Sequence, residues 1–298
     1  MSVLTNLPKI KGKYRENTDI GKMCWFDTST KVEALFIPKD IEDLVVFLSQ
    51  KPKELQIYIM GVGSNLLIRD GGIKGVMIRL GAGFNYIKHE NNQIIAGAAT
   101  LDINVANYAA NNSISGFEFL SGIPGCIGGA LAMNAGSYNS DTSSILIEAK
   151  AINIHTAEKR IFKKDEIGYS YRSKSLSSDW LFYEAIFQGE FGNKDEIINS
   201  IKDIQTKRES TQPIKSKTGG STFKNPLPHK AWKLIDECGL RGMKIGGAKF
   251  SEQHCNFLVN EGHAKASDIE ELIILAKQKV KEKFSIDLEE EIKIIGDN

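Results

Sequence analysis

The sequence lacks the features that mark a secreted, membrane-spanning or nucleic-acid-binding chain. Its N-terminus, MSVLTNLPKIKGKYREN, has no apolar signal core, and no later segment is apolar for long enough to span a bilayer. A cytoplasmic protein with no membrane partner is therefore expected. The four cysteines, Cys24, Cys126, Cys238 and Cys255, lie far apart, form no CxxC pair and have no histidines at zinc-finger spacing. That argues against a zinc site and for free thiols in a reducing compartment. Net charge is only +1, a poor match to a dedicated nucleic-acid binder. Phosphate-binding fingerprints are also missing. In GVGSNLL, Gly61 and Gly63 match the first two glycines of a Rossmann turn, but Leu66 stands where the third would be, and no Walker loop occurs.

What the chain does have is a concentration of glycine. Residues 116–138, GFEFLSGIPGCIGGALAMNAGSY, contain Gly116, Gly122, Gly125, Gly128, Gly129 and Gly136. Glycine inside a packed element costs about 0.5–1 kcal/mol relative to alanine, so something must approach the main chain closely here. A flexible linker is a poor fit, because Phe117, Phe119, Leu120, Ile127 and Leu131 are interleaved. Pro124 sets a turn before Gly125, and the run Gly128 to Ala132 can open a helix whose amides face an anion. Asn134, Ala135 and Gly136 make a second turn beside Tyr138. Two readings stay open, a ligand cradle and tight helix packing, and the cradle is the favoured one. GVGSN likewise serves either as a tight turn or as a nest of amides for a phosphate.

The rest of the chain reads as an α+β protein with room for about two domains. Asp40 caps a helix from Ile41 to Gln50, and strands follow near Leu55 to Met60, Gly75 to Leu80 and Gln93 to Ala98. Asp102 caps a helix to Asn111. Beyond the glycine-rich stretch the pattern turns to strands, Leu146 to Ile154, Lys159 to Phe162 and Leu181 to Phe191, with the polar YSYRSKS hairpin between them. A helix from Lys194 to Arg208 leads to the irregular TQPIKSKTGGSTFKNPLP, which marks a domain boundary. Lys215, Lys217 and Lys224 suit an exposed loop, yet Phe223 and the Gly-Gly-Ser-Thr turn suit ligand contact. A second helix from His229 to Cys238 and a strand Cys255 to Val259 follow, with His254 a lone histidine beside that strand. Ser267 and Glu270 form a capping box for an amphipathic helix, and a last strand, Ile286 to Ile295, carries Glu289, Glu290 and Glu291.

Taken in order, GVGSNLLIRDGG, GFEFLSGIPGCIGGALAMNAGSY, YSYRSKS, GGSTFKNP, GLRGMKIGGAKFSEQHCNFLVN and LEEEIKIIG resemble the UDP-N-acetylenolpyruvoylglucosamine reductases from about Trp25 to Gly296. The resemblance is to the shorter type, without a tyrosine-bearing loop over the substrate. It implies an α+β fold in which a two-subdomain FAD-binding unit of the vanillyl-alcohol-oxidase type, residues 1–208 with subdomains at about 20–74 and 75–208, precedes a C-terminal substrate-binding domain, 209–298. It implies non-covalent FAD, NADPH as hydride donor, and reduction of the enolpyruvyl group of UDP-N-acetylglucosamine enolpyruvate in peptidoglycan precursor synthesis. A monomer is expected.

By position, the resemblance assigns the cofactor to Gly61, Gly63, Ser64, Asn65 and Leu66, to Gly122, Ile123, Pro124, Gly125, Gly128 and Gly129, and to Asn134, Ala135, Gly136 and Tyr138. Arg172, Ser221 and Glu291 match the catalytic trio; Tyr171, Lys224, Asn225 and His254 are taken as substrate contacts. One departure is Ser29-Thr30, where the family commonly has two glycines. Chemically, an arginine fork suits the substrate carboxylate as charge develops beside it, and Ser221 is placed to deliver the proton, helped by nearby positive charge such as Lys224. Glu291 either orients Arg172 or stays protonated and donates a hydrogen bond. Two rival readings are an FAD-linked oxidase or dehydrogenase of another substrate, which leaves GGSTFKNP unexplained, and a non-enzymatic nucleotide-sugar binding protein, which has no use for a flavin cradle.

Overall fold

The computed structural model describes residues 3–298. Two compact units result: the first takes the chain up to Glu16, Ala34–Val62 and Gly75–Lys207, and the second takes Asn17–Glu33, Gly63–Lys74 and Arg208–Asn298.

The first unit contains two apolar cores. Helix Ile41–Gln50 begins where Asp40 accepts a hydrogen bond from the Asp43 amide at 2.9 Å, and it buries Leu44, Phe47 and Leu48. These pack with Phe36, Val76 and Ile78 of the sheet ordered Lys13–Asp19, Lys31–Ile37, Ile73–Arg79, Ile57–Met60. The last two strands run parallel, with Ile57 opposite Val76. The larger core lies on an antiparallel sheet ordered Lys159–Lys163, Leu146–Asn153, Trp180–Gln188, Gln93–Gly97, Ile87–Glu90. Helices Asp102–Asn111 and Ile127–Met133 contribute Val105, Ala109, Ile127 and Leu131 to it. The alanine-rich face of the first helix lets it approach closely.

In the second unit, helices Ala231–Glu237 and Ala266–Phe284 share a core with the three-stranded sheet Lys244–Ile245, Ala248–Phe250, Leu258–Asn260. Strand Lys293–Ile295 pairs in parallel with Leu66–Ile68, a contact between the end of the chain and its first quarter.

Three local expectations are not met, two of them because longer-range contacts replace them. The long helix starts at Ala266, and its Ala266 and Ser267 amides donate to the Asp70 carboxylate at 2.8 and 3.0 Å instead of forming a Ser267–Glu270 box. An ionised carboxylate is a stronger acceptor at a helix N-terminus than a serine hydroxyl. Glu270 pairs with Arg69 at 3.0 Å. The last strand is regular only over Lys293–Ile295, because residues 289–291 turn their main chain to the loop at 222–224. Asp102 opens its helix but caps nothing; both carboxyl oxygens are buried without a hydrogen-bond partner.

Candidate active site

In the first unit the glycine-rich stretch folds as a turn, the short helix Ile127–Met133, and a second turn through Asn134 in the left-handed region, φ 50°. The anion site expected at the start of this helix is not formed. The Ile127 amide donates to the Thr100 carbonyl and the Gly128 amide to the Ala98 carbonyl, each at 2.9 Å. The Gly129 and Val62 amides are directed at the Cys126 sulfur, whose titration is pushed up by burial and then by Asp102. Several glycines serve close packing within the protein. A Cβ on Gly125 would lie 2.6 Å from Asp102 Oδ2, and one on Gly61 would lie 2.7 Å from Cys126 Sγ. Gly122 backs onto Ser137 and Tyr138, with Ile123 and Pro124 half-buried beside it. Gly129 differs: it is exposed, and its Cβ would meet nothing closer than Cys126 Sγ at 3.8 Å, so open space lies over its main chain.

The second turn is tied to the YSYRSKS hairpin, Tyr169–Ser170 against Ser173–Lys174. Asn134 is 1% exposed, and its carboxamide donates to the Ser170 carbonyl at 3.0 Å and to Asp141 at 3.1 Å while accepting from the Ser143 amide at 2.9 Å. Its side chain is therefore spent on the scaffold. Ala135 is buried, and its carbonyl accepts from both the amide and the hydroxyl of Thr142. Arg172 sits at the tip of the hairpin with φ 53°, a conformation rare outside glycine. Its guanidinium donates to the Gly136 carbonyl and lies 5.3 Å from the ring centroid of the exposed Tyr171. Tyr138 donates its hydroxyl to the Ile204 carbonyl at 3.2 Å, which places its ring in the wall of the turn.

The second unit carries the remaining residues. Gly63 has φ 72°, which L side chains rarely adopt, and among the described residues no group accepts from the Gly63 or Ser64 amide. A loop with left-handed glycine and unclaimed amides fits a phosphate-bearing cofactor such as FAD. Leu66 is buried in the strand that follows. Asn65, expected to serve the cofactor, donates from Nδ2 to the Glu291 carbonyl at 3.0 Å, and its own carbonyl accepts from Lys293 at 3.0 Å.

Around Ser221 four segments meet. Gly219 lies on the Phe26 ring, where a Cβ would approach to 2.2 Å, and Gly220 takes φ 82°. Thr222 donates its amide to the Asn256 carbonyl at 2.7 Å, and its own carbonyl accepts from the Glu291 amide at 2.8 Å. Lys224 donates its amide to the Glu289 carbonyl at 2.9 Å. Ser221 and Glu291 thus come together through main-chain pairing, without a regular strand at either. The acidic triplet divides its work: Glu289 pairs with Lys224, and Glu290 with Lys277 at 2.8 Å. Positive charge from Lys224, expected to assist Ser221, is directed to Glu289. Asn225 uses Oδ1 to accept from the Ala231 amide at 3.0 Å and so starts the following helix. His254 has its ring edge-on to Phe257 at 4.8 Å, and Nδ1 accepts from the Asn256 amide at 3.3 Å. Burial depresses its titration below the usual histidine range, so it is neutral at pH 7 with Nε2 carrying the proton.

Sequence reasoning passed over Asn256 and Asp102 in this setting. Asn256 lies in the GLRGMKIGGAKFSEQHCNFLVN motif, but its partner Phe223 is 33 residues away, and Asp102 lies in no motif and owes its chemistry to burial. Thr30, at the departure from two glycines, is buried with its hydroxyl donating to the Arg69 carbonyl at 2.9 Å, and Ser29 donates to Asp19 at 2.8 Å.

A profile of the FAD binding domain matches residues 32–156, and one of the UDP-N-acetylenolpyruvoylglucosamine reductase C-terminal domain matches 212–295. The UDP-N-acetylenolpyruvoylglucosamine reductase of Parvibaculum lavamentivorans is 45% identical over 295 residues, covering 99% of this chain and 95% of that protein. This chain belongs to the UDP-N-acetylenolpyruvoylglucosamine reductase family. Within the family, the reductase of Rickettsia typhi is 46% identical over 290 residues, 97% of this chain and 98% of its own length. The crystal structure of the Thermus caldophilus reductase superposes with a TM-score of 0.81 at 29% identity, over 96% of this chain and 99% of that one. The reductase fold thus extends over both units.

Proposed function

We propose that this protein is the FAD-dependent, NADPH-consuming reductase that converts UDP-N-acetylglucosamine enolpyruvate to UDP-N-acetylmuramate for peptidoglycan precursor synthesis. The observation that carries the reading is the pairing of the Ser221–Lys224 segment with residues 289–291, which gathers two of the three catalytic candidates in one unit. Bound FAD would supply the hydride for the methylene carbon of the enol ether; each unit by itself offers main chain that would hold it, Gly129 in the first and Gly63 with Ser64 in the second.

The protein's own groups do the rest. Arg172 binds the substrate carboxylate with a planar fork, and its hold strengthens as negative charge develops next to that carboxylate. Its tether to Gly136 keeps the fork aimed. Ser221 delivers the proton to the carbon beside the carboxylate, and Glu291 stabilises the same developing anion. Tyr171, Lys224, Asn225 and neutral His254 line the substrate: Lys224 keeps its charge in an ion pair with Glu289, and His254 offers an Nε2–H donor. Residues 1–208 form the flavin-binding region and 209–298 the substrate-binding domain. The protein acts as a cytoplasmic monomer on a small molecule, with no nucleic-acid or membrane partner. Among the described residues no helix is long and apolar enough to cross a membrane, and no group of three or more His, Cys, Asp or Glu is placed to hold a metal ion.

The test is anaerobic stopped-flow absorbance in two steps, reduction by NADPH and then reoxidation by UDP-N-acetylglucosamine enolpyruvate. Ser221→Ala is expected to keep the first step and slow the second by roughly two to four orders of magnitude. A wild-type flavin that stays reduced after substrate addition would refute the reductase reading; a normal second step in Ser221→Ala would remove that residue from proton delivery.

A further inference from the structure

We propose that Asn256 is a positioning residue for proton delivery by Ser221, an inference that rests on the assignment of Ser221 above. Asn256 is 4% exposed, and its carboxamide forms two hydrogen bonds to a single residue of the GGSTFKNP loop. Oδ1 accepts from the Phe223 amide at 3.0 Å, and Nδ2 donates to the Phe223 carbonyl at 2.8 Å. Its main-chain carbonyl adds a third bond, accepting from the Thr222 amide at 2.7 Å. One asparagine therefore grips the two residues that follow Ser221.

The grip has a physical purpose because the loop's other main-chain contacts are short. Its contacts with neighbouring segments are isolated bridges, Ser221 to Phe257 and Phe223 to Glu290, with no continuous ladder. Gly219 and Gly220 precede Ser221, and glycine surrenders more conformational freedom on ordering than any other residue. The Asn256 carboxamide replaces the missing strand: it presents one acceptor and one donor to Phe223, as a neighbouring peptide group would in a sheet. Phe223 is 1% exposed, so the polar groups it brings inside need such partners. The same main-chain stretch carries the bond from Glu291 to the Thr222 carbonyl, so a shift of Phe223 moves the serine hydroxyl and the glutamate together. A displacement of about 1 Å at a reacting group can cost about a hundredfold in rate, so this register matters to the proton-transfer step and little to flavin reduction.

Asn260, four residues on, supplies a control. Its carboxamide is also buried and fully engaged, donating to the Phe26 carbonyl at 2.8 Å and accepting from the Gly262 and Ala264 amides at 2.7 and 2.9 Å. None of these bonds is made to residues 221–224; the link to the loop is indirect, through Phe26, whose ring packs on Gly219. Asn256→Ala removes both side-chain bonds to Phe223; Asn256→Asp keeps the acceptor for the Phe223 amide and restores a donor to its carbonyl only while the carboxyl is protonated, and the melting temperatures show which variants fold.

The experiment measures both half-reactions of FAD-loaded Asn256→Ala, Asn256→Asp, Asn260→Ala and Ser221→Ala by anaerobic stopped-flow, with the solvent deuterium isotope effect on reoxidation and the melting temperature of each. Expected are NADPH reduction within about twofold of wild type, reoxidation slowed about 10- to 100-fold in Asn256→Ala and less in Asn256→Asp, and a larger isotope effect as proton delivery becomes more rate-limiting. Asn260→Ala should lose thermal stability without changing the ratio of the two rates. If Asn256→Ala behaves like Asn260→Ala while Ser221→Ala remains slow, the positioning role is overturned and the serine assignment stands. If Ser221→Ala reoxidises normally, the assignment itself fails and takes this inference with it.

Discussion

Asp102 should make the protein less stable as the pH rises, and replacing it should remove that dependence. Its side chain is 0% exposed, neither oxygen has a hydrogen-bond partner, and burial raises its titration well above the usual carboxylate range. The helix N-terminus it occupies pulls the other way, but that effect is about 0.3–1 kcal/mol and at most ~2, against several kcal/mol for an unpaired buried carboxylate. Burial wins, and the group stays protonated in the folded chain. An unfolded Asp releases its proton near pH 3.9. The stability tied to the retained proton is fully present below that pH and is lost as the pH rises through the folded value. Over that window the loss is up to about 1.4 kcal/mol per pH unit for one proton. Asp102→Asn keeps the shape and cannot ionise, so its stability relative to wild type should climb by that amount per unit from about pH 5 upward. Equilibrium urea unfolding of both proteins, FAD-saturated and followed by circular dichroism across this range, reads the difference directly. Parallel stability curves would refute the reasoning, since they would mean that the carboxyl ionises as readily in the fold as outside it.

Three further outcomes are expected. Arg172→Lys should bind FAD normally but slow reoxidation by substrate about 10²- to 10³-fold in stopped-flow, because an ammonium cannot hold the carboxylate with two parallel bonds; equal loss of flavin binding and reoxidation would point to a folding defect. Asp70→Ala should cost about 1 kcal/mol at neutral pH in urea unfolding, through loss of the cap on helix Ala266–Phe284. Partial burial works to raise the Asp70 titration, but hydrogen bonds from Ser267 and Ala266 outweigh it and the net direction is down, so the penalty should shrink as the pH falls through the lowered folded value. Gly129→Ala should leave the FAD-free melting temperature unchanged or raised, as helix propensity favours alanine by about 1 kcal/mol, while weakening FAD binding in fluorescence titration; unchanged affinity would move the cofactor away from that main chain.

The amino-acid sequence by itself determined the elements whose causes are local. Asp40 and the apolar face behind it specify helix Ile41–Gln50 within the chain's own next turn, and helix Asp102–Asn111 ends where the pattern places it although Leu101, not Asp102, is its N-cap. The ordered motifs likewise carried the family resemblance, because backbone conformations that need glycine leave a mark at single positions. Tertiary structure alone decided which polar groups meet. Asp70 caps a helix 196 residues away, and Asn65 bonds to the Glu291 carbonyl 226 residues away. Nothing near an asparagine or aspartate in sequence says whether its short polar side chain will serve a ligand, a helix end or a loop from another part of the chain. That choice is made by burial, which forces every enclosed donor and acceptor to find a partner wherever the fold brings one. It is why Asn134 and Asn65, expected to serve the cofactor, have side-chain bonds to the scaffold, and why the role of Asn256 follows from Phe223, 33 residues away.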